Sequence, residues 1–243
     1  DLHELPTLSS VAMQISTMLQ DINTSAQDLA KVIENDPAIV PKLLKLVNSA
    51  FFGFSKKVSN IAHALMLLGF NTVRNAVLSI DVINALKLND AIQDFDITDF
   101  WRHAIRVGVV SQYLDQVSGG QHREDAFAAG LIHDIGKIVM ASYFSSTFNT
   151  TWQAANCLEI SFWEAEHRHF PVNHAAVGAK LAKKWHLPDS LRKTIASHHT
   201  TSDKPHSDSL VYIVHAADSL VHTHLERKFE NAEDHYPICM GAR

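Results

Sequence analysis

The sequence predicts an all-α protein. Apolar residues recur at helical spacing between cap-like residues, and no stretch sustains the period-two alternation of a half-buried strand. Composition agrees: 46% hydrophobic content with nine glycines and seven prolines among 243 residues fits a compact helical chain and argues against disorder. That length is enough for one large domain or two small ones with substantial cores.

The elements follow in order. Residues 1–20 open with Leu5-Pro6-Thr7-Leu8 and run on as a helix through Val11, Ile15 and Leu19. Ser25-Ala26-Gln27-Asp28 is an approximate capping box, with Asp in place of Glu or Gln, before a short helix to about Glu34. Asp36-Pro37 reads as an N-cap followed by proline at the first helical position. The helix it opens carries Leu43, Leu44 and Val47 and ends near Asn48-Ser49-Ala50; Pro41 is expected to delay its start or bend it. Phe51-Phe52-Gly53-Phe54 is an aromatic connector. Ser59 is the expected cap of a helix ending at Gly69, and Asn71 of another reaching about Leu86. The polar stretch 88–97 marks a boundary or hinge. Beyond it, helices are expected at about 98–117, 124–143, 146–157, 160–168, 172–185, 189–199 and 208–225. This divides the chain into an N-terminal helical subdomain (1–90), a second helical bundle (95–225) on which it packs, and a tail (226–243) without periodicity.

Composition also narrows function. A net charge of −5 gives no basic field to draw in nucleic acid, and none is expected as a partner. No apolar run approaches the ~18 residues that span a bilayer, and no signal-peptide pattern opens the chain, so no membrane role is expected. The start at Asp1 suggests a fragment or trimmed chain. Cys157 and Cys239 are too few for a disulfide framework, which points to reduced thiols and a cytoplasmic location.

The outlier is histidine, with sixteen residues, most of them after position 100. The central stretch is Ala129-Gly130-Leu131-Ile132-His133-Asp134-Ile135-Gly136-Lys137, an adjacent imidazole and carboxylate inside an apolar run. Either would be costly to bury unpaired. Neighbours on one helix point about 100° apart, so a shared ion would sit against the helix flank. Gly130 and Gly136 remove side chains there and let another backbone or a substrate come close. Further candidates come from other helices: His103, His174, the pair His198-His199, and Asp218.

Imidazole with carboxylate suits one or two divalent ions of Fe, Mn, Zn, Ni or Co rather than Ca or Mg. Asp134 could bridge two ions, one taking His103, His133, Asp134 and Asp218, the other Asp134, His174, His198 and His199. Such a pair could activate water for in-line phosphoryl displacement, with Asp134 and Lys137 as the catalytic candidates, Lys137 steadying a phosphate oxygen.

Plainer readings stand beside these. His133-Asp134 could be a buried hydrogen-bonded pair, His199 a C-terminal helix cap, His174 a residue lining the helix after Pro171, and Lys137 a solvated lysine. His103 is ambiguous by itself, and Asp99, one turn earlier on the same face, is an extra candidate ligand. His122, His167, His169, His186, His206, His215, His222, His224 and His235 read as surface or core residues. Asn48 and Ser49 could fix an interface between the two halves.

The His…His-Asp…Asp order around Gly-Leu-Ile-His-Asp-Ile-Gly-Lys resembles the HD superfamily of metal-dependent phosphohydrolases. The added His174 and His198-His199 resemble the ligands of its binuclear HD-GYP branch, although Thr200-Thr201-Ser202 follows the pair where that branch has Gly-Tyr-Pro. The first half is similar to the HDOD family: Leu5-Pro6-Thr7-Leu8, Asp36-Pro37, Leu46-Val47-Asn48-Ser49-Ala50-Phe51-Phe52-Gly53 and Ala64-Leu65-Met66-Leu67-Leu68-Gly69, joined later by Trp185-His186-Leu187-Pro188. That resemblance runs over roughly 3–222. It implies an all-helical bacterial signalling module, its second half an HD-like bundle, working with a protein partner or fused signalling domain. The superfamily resemblance implies, as the alternative, a phosphohydrolase or phosphodiesterase acting on a nucleotide or cyclic dinucleotide.

Overall fold

A computed structural model describes residues 7–18, 24–48, 54, 56–85, 95–120, 122, 125–158, 160–200 and 209–226. Leu5-Pro6, Leu19, Ser49 to Gly53, Leu86, residues 88–94 of the polar break, Thr201-Ser202, His206, His235, Cys239 and the tail from 227 lie outside them. Among the described residues every regular element is helical. None of those helices is long and apolar enough to cross a membrane.

Capping chemistry sets the boundaries of the first helices. In α1 (Ser10–Met18) the Ser9 hydroxyl accepts from the Ala12 amide at 3.1 Å. The Ser9 amide in turn donates to Asp81 at 2.7 Å, tying the start of α1 to the helix that carries Asp81. The Ser25/Asp28 box is formed in both directions at the start of α2 (Ala26–Glu34). Asp36 accepts from the amides of Ala38 and Ile39, so α3 runs Ile39–Val47 and Pro37 sits in the turn before it rather than inside it. Pro41 falls in the first turn, where an amide has no intrahelical acceptor to lose.

Two expected caps move, one by a single residue and the other by two. Asn60, not Ser59, caps α4 (Ile61–Leu68), accepting from the His63 amide at 2.8 Å. Helix α5 (Phe70–Ala85) starts directly after Gly69, whose φ of 81° is open to glycine. Asn71 therefore lies inside the first turn and accepts from the Arg74 guanidinium instead of capping. Asn48 closes the end of α3 locally: its amide donates to Leu44 and Val58 carbonyls, both at 2.8 Å, and its oxygen accepts from the Val58 amide at 2.7 Å.

The chain divides into two compact units, one comprising Asp1–Lys87 with Lys184–Pro188, the other Leu88–Lys183 with Asp189–Arg243. In the first, α1–α5 enclose Ile15, Leu29, Ile33, Leu43, Val47, Ile61, Val73 and Val77. In the second, α6 (Ile97–Val117, capped by Asp96) packs along α7 (Ala126–Ile132), and α13 (Ser209–Leu220) packs against both. Helices α8 (Ile135–Tyr143), α9 (Ser145–Leu158), α10 (Phe162–His169), α11 (His174–Lys184) and α12 (Asp189–Ser197) complete that unit. A π-helical turn, Val221–Glu226, extends α13. Phe95, Phe148, Trp152 and Phe162 form an aromatic cluster in this unit, Phe95 edge-on to Phe148 and Trp152, which stack on each other.

Candidate metal centre

The expected single helix over 124–143 is broken at His133-Asp134. Asp134 leaves helical geometry (φ −99°, ψ 11°), so the pair forms the junction between α7 and α8 instead of sitting on a continuous flank. Two glycines hold this junction against other backbone. A Cβ on Gly130 would lie 2.7 Å from the Gly108 Cα of α6, and one on Gly136 would lie 1.9 Å from the His174 carbonyl oxygen. Of the two roles the sequence leaves open for these glycines, the one realised is backbone approach.

Side chains from five segments meet at this junction. His103 comes from α6, His174 is the first residue of α11, His198-His199 follows α12, and Asp218 comes from α13. One ligand atom from each lies within 4.8 Å of the others in three groups, Asp134–His174–His198–His199, His103–His133–Asp134 and, with His222, His103–Asp218–His222.

The separations match a coordination shell. Metal–ligand bonds near 2.1 Å place neighbouring donors roughly 3.0 Å apart on an octahedral edge and roughly 3.4 Å on a tetrahedral one. Asp134 Oδ1 lies 3.0 Å from His174 Nε2 and 3.4 Å from His198 Nε2. His174 Nε2 is 3.3 Å from His198 Nε2 and 3.0 Å from His199 Nε2. On the other side, Asp134 Oδ2 lies 3.3 Å from His133 Nε2, and Asp218 Oδ1 lies 3.1 Å from His103 Nε2 and 3.7 Å from His133 Nε2. The two oxygens of Asp134 thus face different groups, the arrangement a bridging carboxylate needs.

Hydrogen bonding fixes which ring nitrogens point inward. Nδ1–H of His133 donates to the Gly130 carbonyl at 2.7 Å, that of His174 to Glu166 at 2.6 Å, and that of His198 to the Ile195 carbonyl at 3.0 Å. In the neutral rings this leaves each Nε2 as a lone pair. These lone pairs face one another and a carboxylate, acceptors against acceptors, which only a proton or a cation between them can reconcile. His133 Nε2, Asp134 Oδ1 and Asp218 Oδ1 are buried and form no hydrogen bond of acceptable geometry. The residues present fit a metal ion.

The electrostatics point the same way. Burial by itself would lower the His133 imidazole, but the Asp134 and Asp218 carboxylates push it up to about 10. His174 is raised by Asp134 and Glu166 against the same burial. Burial would raise Asp134, yet His133, Lys137 and His174 hold it well below the usual carboxylate range. Asp218 is likewise held well below that range, against burial, by His222, His103 and His133. Burial pushes His198 down to about 4, so its lone pair is available at neutral pH, and His199 is lowered by burial and by the rings of His198 and His174. A divalent cation would replace the protons this negative field recruits, so loading is expected to release protons.

Lys137 places its ammonium on Asp134 Oδ2 at 2.5 Å, so it is not the free solvated lysine of the plain reading. Asp99 is exposed and paired with Arg102 one turn away, which removes it as a candidate ligand. His122 is engaged by Ser209, and His167 and His169 lie at the surface.

Three residues of the site escape sequence reasoning. Glu166, fully buried on α10, accepts from both the ring and the backbone amide of His174. No periodicity marks it, because it meets His174 across the turn after α10. His215 holds the His198 carbonyl through Nδ1 at 2.8 Å. His222 lies 3.4 Å from Asp218 Oδ1, and the only available signal was its spacing of four residues from Asp218. Glu166→Gln, which keeps the volume but removes the charge behind His174, is expected to weaken metal binding ten- to a hundredfold in a chelator competition.

The fold and site together define an all-helical protein with a buried His/Asp centre of the kind found in HD-type bundles. A family model for the HDOD domain matches residues 5–201, and the chain belongs to the HDOD family. The chain is 28% identical over 212 residues to an uncharacterized protein of Treponema pallidum (strain Nichols); the match covers 83% of this chain and 39% of that protein's length. Among solved structures it is similar to an HDOD domain protein of unknown function from Geobacter sulfurreducens (TM-score 0.79, 25% identity, 96% of this chain and 77% of that one). It shares its fold with a candidate phosphohydrolase from Shewanella amazonensis SB2B (TM-score 0.78, 23% identity, 93% of this chain and 80% of that one).

Proposed function

We propose that this chain is a bacterial, cytoplasmic HDOD signalling module that binds one or two divalent transition-metal ions. Its output is a conformational or partner-binding change passed to a protein partner or fused signalling domain. The observation that carries this reading over an enzymatic one is burial. His133, His174 and His198 are 0% exposed and Asp134 2%, and one Asp134 oxygen also carries Lys137. Such a site suits an ion that holds helices together better than one that turns substrate over.

The second reading is a metal-dependent phosphohydrolase on a nucleotide or cyclic dinucleotide; the Shewanella amazonensis neighbour is described only as a candidate phosphohydrolase. This reading is favoured by the complete ligand set and by the ammonium of Lys137 beside it. Bound ions would supply an activated water and charge neutralisation at phosphorus. Within the chain, Lys137 has two further N–H donors for a phosphate oxygen, and Asp134 orients both ligand groups.

Elemental analysis of purified protein, followed by a phosphodiesterase screen of the loaded form, decides between them. The signalling reading expects bound Fe, Mn, Zn, Ni or Co and no turnover of cyclic dinucleotides or bis(p-nitrophenyl) phosphate. Metal-dependent turnover that Lys137→Ala abolishes would overturn it in favour of the hydrolase.

A further inference from the structure

His222 is the one member of the cluster that lies outside the expected ligand set and toward solvent. Its side chain is 31% exposed against 10% for Asp218 and 0% for His133. Its Nε2 faces Asp218 Oδ1 at 3.4 Å, and its ring lies against His103 with centroids 4.5 Å apart. It belongs to a group of three donors with His103 and Asp218 that are mutually close enough to share an ion. The backbone carrying it is unusual as well. Helix α13 passes into a π-helical turn at Val221, one residue before His222, and such turns concentrate at functional sites.

We propose that His222 is an additional protein ligand of the ion held by His103 and Asp218, taking the solvent-side position that water or a phosphate oxygen would otherwise occupy. The inference rests on the metal-binding reading above and deepens it. Asp218 Oδ1 already lies 3.1 Å from His103 Nε2 and 3.7 Å from His133 Nε2, so a further protein donor on its solvent side leaves fewer positions of that ion open. His222 thereby acts as a built-in competitor for exogenous ligands. The role differs from that of Glu166, whose carboxylate accepts from His174 Nδ1, and of His215, whose Nδ1 donates to the His198 carbonyl; neither belongs to a donor group. An outer-shell role for His222 would require only a hydrogen bond to Asp218, so the test must separate a ligand from a hydrogen-bond donor.

The intact protein is loaded with Co²⁺, and its metal equivalents, affinity and visible absorption are compared among wild type, His222→Ala and His222→Gln. In His222→Ala the Co²⁺ bands shift as an imidazole gives way to water, affinity for one ion falls ten- to a hundredfold, and added imidazole restores the wild-type spectrum. The restoration also shows that the variant is folded. His222→Gln, which can still donate to Asp218 but is a poor ligand, is expected to behave like His222→Ala. Wild-type spectrum and affinity in either variant would overturn the proposal, the glutamine result assigning His222 to orienting Asp218. A wild type that takes up no Co²⁺ would overturn the metal reading itself and this proposal with it.

Discussion

Asp134→Ala is expected to abolish metal binding at both ligand groups, not to halve it. Its Oδ1 faces His174 and His198, and its Oδ2 faces His133, so one substitution removes the donor the groups share. Elemental analysis should show metal falling to background. The metal-free variant should also be less stable, because Lys137, only 13% exposed, loses its carboxylate. Removing one partner of a buried pair costs about 3–5 kcal/mol. The cap of α8 contributes nothing to that loss, since the Asp134 side chain makes no capping bond. The double variant Asp134→Ala/Lys137→Met separates the two effects. It should recover most of the lost stability in urea denaturation and none of the metal. A single variant retaining near wild-type metal would refute the bridging role.

Gly136→Ala is expected to be nearly as damaging although it removes no polar atom. The new Cβ would lie 1.9 Å from the His174 carbonyl oxygen and 2.7 Å from its carbon. Both are backbone, so no rotamer change relieves the clash, and the start of α11 has to move. His174 is the first residue of that helix, and its displacement breaks the bonds to Glu166 and takes Nε2 away from Asp134. The expected cost is at or above the upper end of the ~1–3 kcal/mol typical of overpacking, with a loss of at least ~100-fold in affinity at the His174 side. Gly178→Ala provides the comparison. Its Cβ would meet the Ile195 Cγ2 methyl at 2.8 Å and backbone only at 3.2 Å. A side chain can shift, so its effect should be roughly 1 kcal/mol with metal binding retained. Equal effects of the two substitutions in thermal melts and metal titration would show that approach to the His174 carbonyl is not what matters.

Much of this molecule is readable from residues close together in the chain. The Ser25/Asp28 box, the Asp36 turn and the Gly69 stop are interactions within four residues, and sequence spacing captures them directly. The absence of period-two alternation gives the all-α class for the same reason. Where two candidates compete for one local role, spacing is a coarser guide: Asn60 took the cap from Ser59, and the close start of α5 after Gly69 turned Asn71 from a cap into an acceptor for Arg74.

The chemistry of the centre was legible as residue types and helix-bounded positions, since a carboxylate and imidazoles in apolar runs demand partners. Spacing, capping residues and composition thus establish the helical class, most helix ends and most of the donors. How those donors are used follows from long-range packing. It broke the helix at His133-Asp134, turned each Asp134 oxygen to a different group, set Glu166 behind His174 and added His222. Those outcomes depend on which backbones touch at Gly130 and Gly136, between segments tens of residues apart. Local propensity and periodicity act over about one helical turn and carry no information about which distant helix will arrive.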